Sequence, residues 1–443
     1  MNPNRLLHDP ALVALRQAHP QLEEWVARGF MNDPKTGLGY FTGYSYATLY
    51  DWDQYFEGLT LLYLGHGPER LQNAVRIFLA HQRADGFIAR SVPSTPAHDF
   101  EHVKPFLGQI ACLVHAATGE HTWVTGELLP GLKAYLDYWL GAMDADGDGL
   151  SEWMSAPHTG MDNQHERAGY WRDRVSAGVD LNCYLVRECR AVARLCELAG
   201  DGVAAAHYRQ VAEARAEAIR TRMWCEEDGV FYDLNCRFDR DAAGQPVRRR
   251  FADDPTESNS LFSAAAQLGS SLNHDWASWG RSMKRGNAGF PPWILQKTVA
   301  GFMPLWAGVA TPHQARRLIA EHLLDPRTFW SPYPVAVQSR DSRWYSPTPH
   351  PYDAGCNWRA NVWIPTNYMI YHGLRWYGEK TLASTLARRT VELVRQSGPR
   401  EYFLSETGAG CGLDPFWGWT LLAYFMDYEE GLAETLNDQT GWK

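Results

Sequence analysis

Apolar residues recur at spacings of three and four along most of the chain, the period of a helix with one buried face. In VAAAHYRQVAEARAEAIRTRMW (203–224), Tyr208, Val211, Ala212, Ala218 and Ile219 share one face, while Arg209, Glu213 and Glu217 take the other. Similar stretches run near 56–65, 70–82, 107–117, 126–143, 179–199, 259–272, 293–307, 312–324, 361–377, 380–396 and 416–429. Alternation of the strand type is much rarer. The pattern predicts an all-α chain.

The connections alternate in length. Some are tight, as in ELAGDGVAA (197–205); others, at 86–106, 325–358 and 397–415, are long and rich in proline, glycine and aromatic residues. Long ordered loops in a compact domain usually carry function. No Ser/Gly linker or charge block marks a boundary, so a single domain is expected over residues 1–443. A solenoid would show a fixed sequence period and uniform turns, and neither is present. The rhythm fits helical hairpins closed into a toroid, with the long loops over one end.

Composition narrows the class. The 443 residues are 45% hydrophobic and 21% charged, as in a globular chain that buries a sizeable core. A net charge of −9 leaves no broad basic footprint for nucleic acid, so a small-molecule partner is expected. The start lacks a basic, apolar leader and no run of 18 apolar residues occurs, which predicts a cytoplasmic chain with no membrane partner. Eight cysteines (112, 183, 189, 196, 225, 236, 356 and 411) are scattered without a CxxC pair, as expected of reduced thiols. Nothing in the sequence indicates the oligomeric state.

Candidate chemistry comes from the aromatics. The chain holds 19 Trp, 21 Tyr and 17 Phe, many of them in the long loops. YSYATLYDWDQYF (44–56), GCNWRANVWIPTNY (355–368) and DPFWGWTLL (414–422) each combine rings with a carboxylate, amide or guanidinium, and WSPYPV (330–335) adds rings beside a hydroxyl. A sugar offers an apolar C–H face and a rim of hydroxyls, so its site needs both kinds of group. SAPHTGMDNQHERAG (155–169) adds Asp162 and Asn163 beside His, Arg and Trp.

DADGDG places Asp144, Asp146, Asp148 and Gly149 at positions 1, 3, 5 and 6 of an EF-hand-like loop, but Ser155 stands where the bidentate Glu belongs. A solvated Asp-Gly turn is the better expectation, with structural calcium the alternative. No HExxH, GxxxxGK[ST] or GxSxG occurs.

Taken in order, these motifs resemble the α/α-barrel glycosidases of glycoside hydrolase family 63 and the related trehalases. His158-Thr159-Gly160-Met161-Asp162-Asn163 looks like the family's Glu-Ser-Gly-x-Asp-Asn loop, which implies that Asp162 is the general acid. Trp52-Asp53, Val179 to Asn182, Asn357 to Trp363, and EYFLSETG followed by FWGWT complete the set, over about residues 40–425. The late motif, Glu-x-Tyr-x-x-x-Thr-Gly, matched at Thr407-Gly408, implies Glu401 as the base, with Glu406 as its rival. The chain departs from the pattern at His158, at Phe403 and at HVKPFLG (102–108), which bears on substrate more than on reaction.

The resemblance implies an (α/α)6 toroidal barrel, an inverting α-glycosidase acting on an α-linked glucoside, and no organic cofactor. Expected substrate-binding residues are Tyr46, Tyr50, Trp52, Asp53, Asn163, Trp358, Arg359, Trp363 and Trp417, with Trp417 and Trp419 dividing lining and packing. Asp53 serves equally as a helix cap, Arg359 more often as scaffold, and Asp180 as a structural group. Burial against Trp153 or Trp171 favours a protonated Asp162, which Arg167, Arg172 or Arg174 nearby opposes. A hydrolase of mannosylglycerate or glucosylglycerate is the alternative, with Arg90, Lys104 and Arg174 as partners for an anionic aglycone. A catalytically inactive sugar-binding protein is the alternative of another class.

Overall fold

The structure is a computed structural model that describes residues 5–441 apart from 45–46, 97, 170–173, 237, 241–245, 249–292 and 349–355. Helices dominate it, and they fall into two kinds. Asp53–Leu64 is buried along its whole length, and Leu107–Thr118 everywhere except His115 and Thr118. Glu69–Ala80 and Lys380–Ser397 bury a single stripe; in the latter it is Ala383, Leu386, Ala387, Thr390, Val391, Leu393 and Val394, recurring at spacings of three and four. The first kind forms the interior and the second covers it.

Sequence neighbours pack as hairpins. Val179–Leu198 lies against Gly202–Ala218, Ile364–Trp376 against Lys380–Ser397, and Lys380–Ser397 against Ala423–Glu430. Leu107–Thr118 touches Asp53–Leu64, Glu69–Ala80 and Val179–Leu198. Such a crowded interior still holds polar groups, and several of them join in networks. Glu429 accepts hydrogen bonds from Tyr63 at 2.5 Å and Tyr368 at 2.6 Å and faces His372. The Arg187 guanidinium stacks on Trp306 and donates to Gln109 and Asn437. Buried polar groups left unpaired would cost several kcal/mol, so these contacts fix the helices' mutual register.

The strands are two or three residues long and sit in the loops. Ser176–Ala177, Asp233–Asn235 and Trp293–Ile294 form a three-stranded antiparallel ladder, with Trp293 opposite Leu234 and Ile294 opposite Asp233. This corrects the helix expected at 293–307, which is a strand, a 3-10 turn at Val299–Phe302 and a short helix at Met303–Trp306. Pro304 is tolerated only in the first turn of a helix, so no regular helix runs through it from residue 293. The stretch 416–429 likewise opens as a 3-10 turn at Trp419–Leu422 before Ala423–Glu430. The helix expected at 259–272 lies outside the described residues. The chain also begins with helices at Pro10–Ala18 and Gln21–Ala27; Asp9 caps the first and Pro10 opens it. Among the described residues no helix is long and apolar enough to cross a membrane.

Candidate active site

Asp162 sits in a loop whose shape follows from its own side chains. Ser155 accepts the His158 N–H and caps a single turn, Ala156–Thr159, which Gly160 ends at φ +82°. A side chain at Gly160 would strike the Trp52 indole at 2.8 Å, so only glycine lets the loop lie on that ring. Arg90 donates to the Pro157 carbonyl, and His158 is buried against Trp139 with its Nε2 on the His102 carbonyl. The far side is stitched to a second loop. Asn163 accepts the Trp358 N–H at 2.9 Å, Gln164 donates to the Trp358 carbonyl at 2.7 Å, and Arg359 donates to the Asn163 carbonyl at 3.0 Å. Between these anchors Asp162 faces a pocket and keeps part of its surface open to it.

Glu401 reaches the same pocket from the other end of the chain. It stands immediately before the strand Tyr402–Phe403, which pairs with Gly410–Cys411 and is bridged to Val362. Its two oxygens are held separately: the Leu413 N–H donates to Oε2 at 3.0 Å and the Cys356 thiol to Oε1 at 3.5 Å. Gly412, at φ +73°, passes so close that any Cβ there would collide with the carboxylate. Glu406 is occupied elsewhere, by Tyr345 at 2.6 Å and Arg340 at 3.1 Å, and does not line the pocket.

Four tryptophans wall the space of ≈ 480 Å³: Trp52, Trp358, Trp363 and Trp419. Trp358 stacks on Trp363 with centroids 3.6 Å apart, and Trp363 on Tyr402 at 4.9 Å. Between the rings stand Tyr44, Tyr50, Asp51, Asp53, Arg90 and Lys104. Both cations are shared with acids. Lys104 Nζ lies 3.0 Å from each oxygen of Asp51, and Arg90 Nε is 3.2 Å from Glu101. Tyr44 donates to Asp53.

Burial sets the protonation of this pocket. It raises Asp162 above the usual carboxylate range against the pull of Arg90 and Lys104, with Asp51 adding to the rise. It raises Glu401 too, against the Leu413 and Cys356 donors, and the charge of Asp162 pushes the same way. Asp53 is pushed up to about 7 by burial, despite Tyr44. The two central carboxyls therefore feel each other across a space where hydrated charge is costly.

Of the residues read from sequence, Asp162, Glu401, Tyr50, Trp52, Asp53, Trp358 and Trp363 line the pocket, as do Arg90 and Lys104. Three do not. Asn163 and Arg359 are spent joining the two loops, with Arg359 also 3.9 Å from Glu166. Trp417 packs beneath, its indole N–H on the Thr42 carbonyl, and Trp419 takes the lining position. Tyr46, Trp171 and Arg172 lie outside the described residues. Trp153 and Arg167 are turned to Asp180, which Arg167 also ties to Asp233, and Arg174 lies beside Met154. Tyr44, Asp51 and Cys356 were missed; the first two belong to the aromatic cluster at 44–56, a signal that pointed to them. The Asp144, Asp146 and Asp148 carboxylates lie within 4.8 Å of one another, outside the pocket. Asp144 accepts the N–H groups of Asp148 and Gly149, and Asp148 pairs with Arg222.

Residues 46–420 match the mannosylglycerate hydrolase MGH1-like glycoside hydrolase domain. A mannosylglycerate hydrolase of Thermus thermophilus is 37% identical over 136 residues, a stretch that is 30% of this chain and 30% of that protein. The chain thus aligns with under a third of this curated relative's length. In fold it is similar to a GH63 mannosylglycerate hydrolase from Thermus thermophilus, solved in complex with glucose, at 18% identity and a TM-score of 0.66 over 93% of this chain and 99% of that one. The same hydrolase solved with Tris and D-glycerate gives 0.63 at 18% identity over 94% and 100%. Neutral trehalase from Saccharomyces cerevisiae gives 0.56 at 16% identity over 97% of this chain and 86% of that one.

Proposed function

Because the chain belongs to the mannosylglycerate hydrolase MGH1-like glycoside hydrolase domain family, we propose that it hydrolyses an α-glycoside of glycerate, mannosylglycerate ahead of any plain α-glucoside, in one domain built as a closed toroid of six helical hairpins. The observation that carries this reading is the meeting of Asp162 and Glu401, far apart in sequence, in one tryptophan-walled pocket that also contains Arg90 and Lys104. The relatives' substrate moves the reading from the glucoside expected on sequence to a glycosyl-glycerate.

In this reading Asp162 gives its proton to the glycosidic oxygen as the bond to the anomeric carbon breaks. Glu401 takes a proton from a water that attacks that carbon from the opposite face, so the configuration inverts. Burial raises both carboxyls; at Asp162 that favours the protonated form an acid needs, and at Glu401 the Leu413 and Cys356 donors oppose the rise, in the direction a base needs. The indoles take the sugar's C–H faces, and Tyr50 and Asp53 its hydroxyls. Arg90 and Lys104 serve the glycerate carboxylate, each as a cation already shared with Glu101 or Asp51. The step calls on no organic cofactor, and the Asp144–Asp148 loop is a self-bonded turn.

A hydrolysis screen over mannosylglycerate, glucosylglycerate and α-linked disaccharides tests the substrate, with mannosylglycerate expected to be cleaved fastest. Release from none of them favours the non-catalytic sugar-binding alternative. For stereochemistry, NMR of the first sugar released should show the β anomer before mutarotation, and an α anomer appearing first overturns inversion. In a sugar-bound crystal structure the two carboxyls should stand roughly 6.5–9.5 Å apart, leaving room for the water.

A further inference from the structure

Asp53 has a second carboxyl behind it that the mechanism does not use. Glu57 follows one turn later on Asp53–Leu64, and residues four apart on a helix share a face. Both are closed off from water, Asp53 at 3% exposure and Glu57 at 1%. The groups facing Asp53 are the Tyr44 hydroxyl, Tyr50, Asp51, Lys104 and Glu57 itself. Lys104, the one cation among them, is bonded to both oxygens of Asp51. Glu57 faces Asp53, the Gln54 amide at 2.9 Å, and the backbone of Gly43 and Gly418, which approach so closely that a Cβ on either would strike Oε1. Among the described residues no cation pairs with either carboxyl. Two buried carboxyls on one helix face, whose nearest cation is bonded to Asp51 instead, are not both left charged.

We propose that Asp53 and Glu57 work as one unit that keeps a proton across the neutral range, with Glu57 the member that holds it and Asp53 the one that ionises there and faces sugar hydroxyls. Glu57 is a positioning residue in this arrangement: it sets the charge of Asp53 without touching the substrate. Burial raises both groups; Tyr44 and Lys104 oppose the rise at Asp53, whereas at Glu57 the charge of Asp53 adds to it and no cation opposes it. As pH falls, Asp53 takes up a second proton and loses its capacity to accept from hydroxyls. Sugar binding then weakens at a pH well above the ordinary aspartate range.

The sharing of the proton stands apart from the sugar-pocket reading; only its effect on binding rests on that reading. Infrared spectra of the wild-type protein at pH 7 test the proton. A protonated-carboxyl C=O band should shift on carbon-13 labelling of glutamate carboxyls, survive in Asp162→Asn and vanish in Glu57→Gln. A band that is absent, or that ignores the glutamate label, overturns the proposal even if Glu57→Gln fails to fold. The effect on binding is read from KM for mannosylglycerate between pH 5 and 8. Glu57→Gln keeps a neutral neighbour in place of the protonated carboxyl, so the acid-side rise in KM should stay near its wild-type pH. A rise that moves down by about a pH unit or more shows that Glu57 was charged there and overturns the assignment of the proton to it. Asp53→Asn should raise KM at every pH; if it does not, the assignment of Asp53 to the sugar has failed, and the infrared result still decides the proton.

Discussion

The two loops that deliver carboxyl groups to the pocket hold them in different ways. Asp162 is shaped from outside: its loop is capped by Ser155, pinned by Arg90 at Pro157 and stitched through Asn163 and Gln164, while the carboxyl itself is balanced between burial and two nearby cations. Glu401 is held directly, one donor to each oxygen, at the root of a two-residue ribbon. The first design adjusts a proton through charge at a distance, and the second fixes an oxygen in place. An acid must release its proton on demand and a base must keep its aim, so the contrast matches the proposed roles.

Removing the carboxyls tests the pair most severely. Asp162→Asn and Glu401→Gln should each cut turnover by about 10²–10⁴ while leaving sugar affinity largely intact, measured as kcat against Kd. Lys104→Met should come next. It strands Asp51 in the interior, which costs about 3–5 kcal/mol in denaturant melts. It also removes a cation that holds Asp162 down, so the alkaline limb of kcat/KM moves to higher pH. The sign follows from the roles: the rate rises as Glu401 loses its proton and falls as Asp162 loses its own. A smaller effect is expected at Cys356→Ala. Losing the thiol donor raises Glu401 further and moves the acid limb up, and Cys356→Ser should move it back. Smallest of all, Glu406→Gln should leave turnover unchanged and stability within about 0.5 kcal/mol, since its bonds to Arg340 and Tyr345 lie outside the pocket. A dead Glu406→Gln enzyme alongside an active Glu401→Gln would reverse the comparison.

The helices were legible wherever periodicity was long. Val179–Leu198 and Lys380–Ser397 appear within a residue or two of their expected ends. The stretch at 293–307 misled because an apolar run this short fits a strand and a 3-10 turn as well as a helix. In the site, residues whose chemistry is their own were found, such as Asp162, Trp52 and Trp358. Asn163 and Arg359 share a motif with them, but backbone groups across the loop junction claim their side chains, and no spacing shows that. Trp417 and Trp419 differ by one indole N–H finding the Thr42 carbonyl. Cys356 became visible only beside Glu401.

The ladder of Ser176–Ala177, Asp233–Asn235 and Trp293–Ile294 also has a use for the engineer. The chain leaves it after Asn235 and rejoins it at Trp293 on the neighbouring strand, so departure and return lie about 5 Å apart. Among the described residues none that lines the pocket comes from the stretch between. A short hairpin turn spans that gap. The ladder thus holds two chain ends in register side by side, and a foreign module whose own ends lie close together can be joined to it without parting the strands.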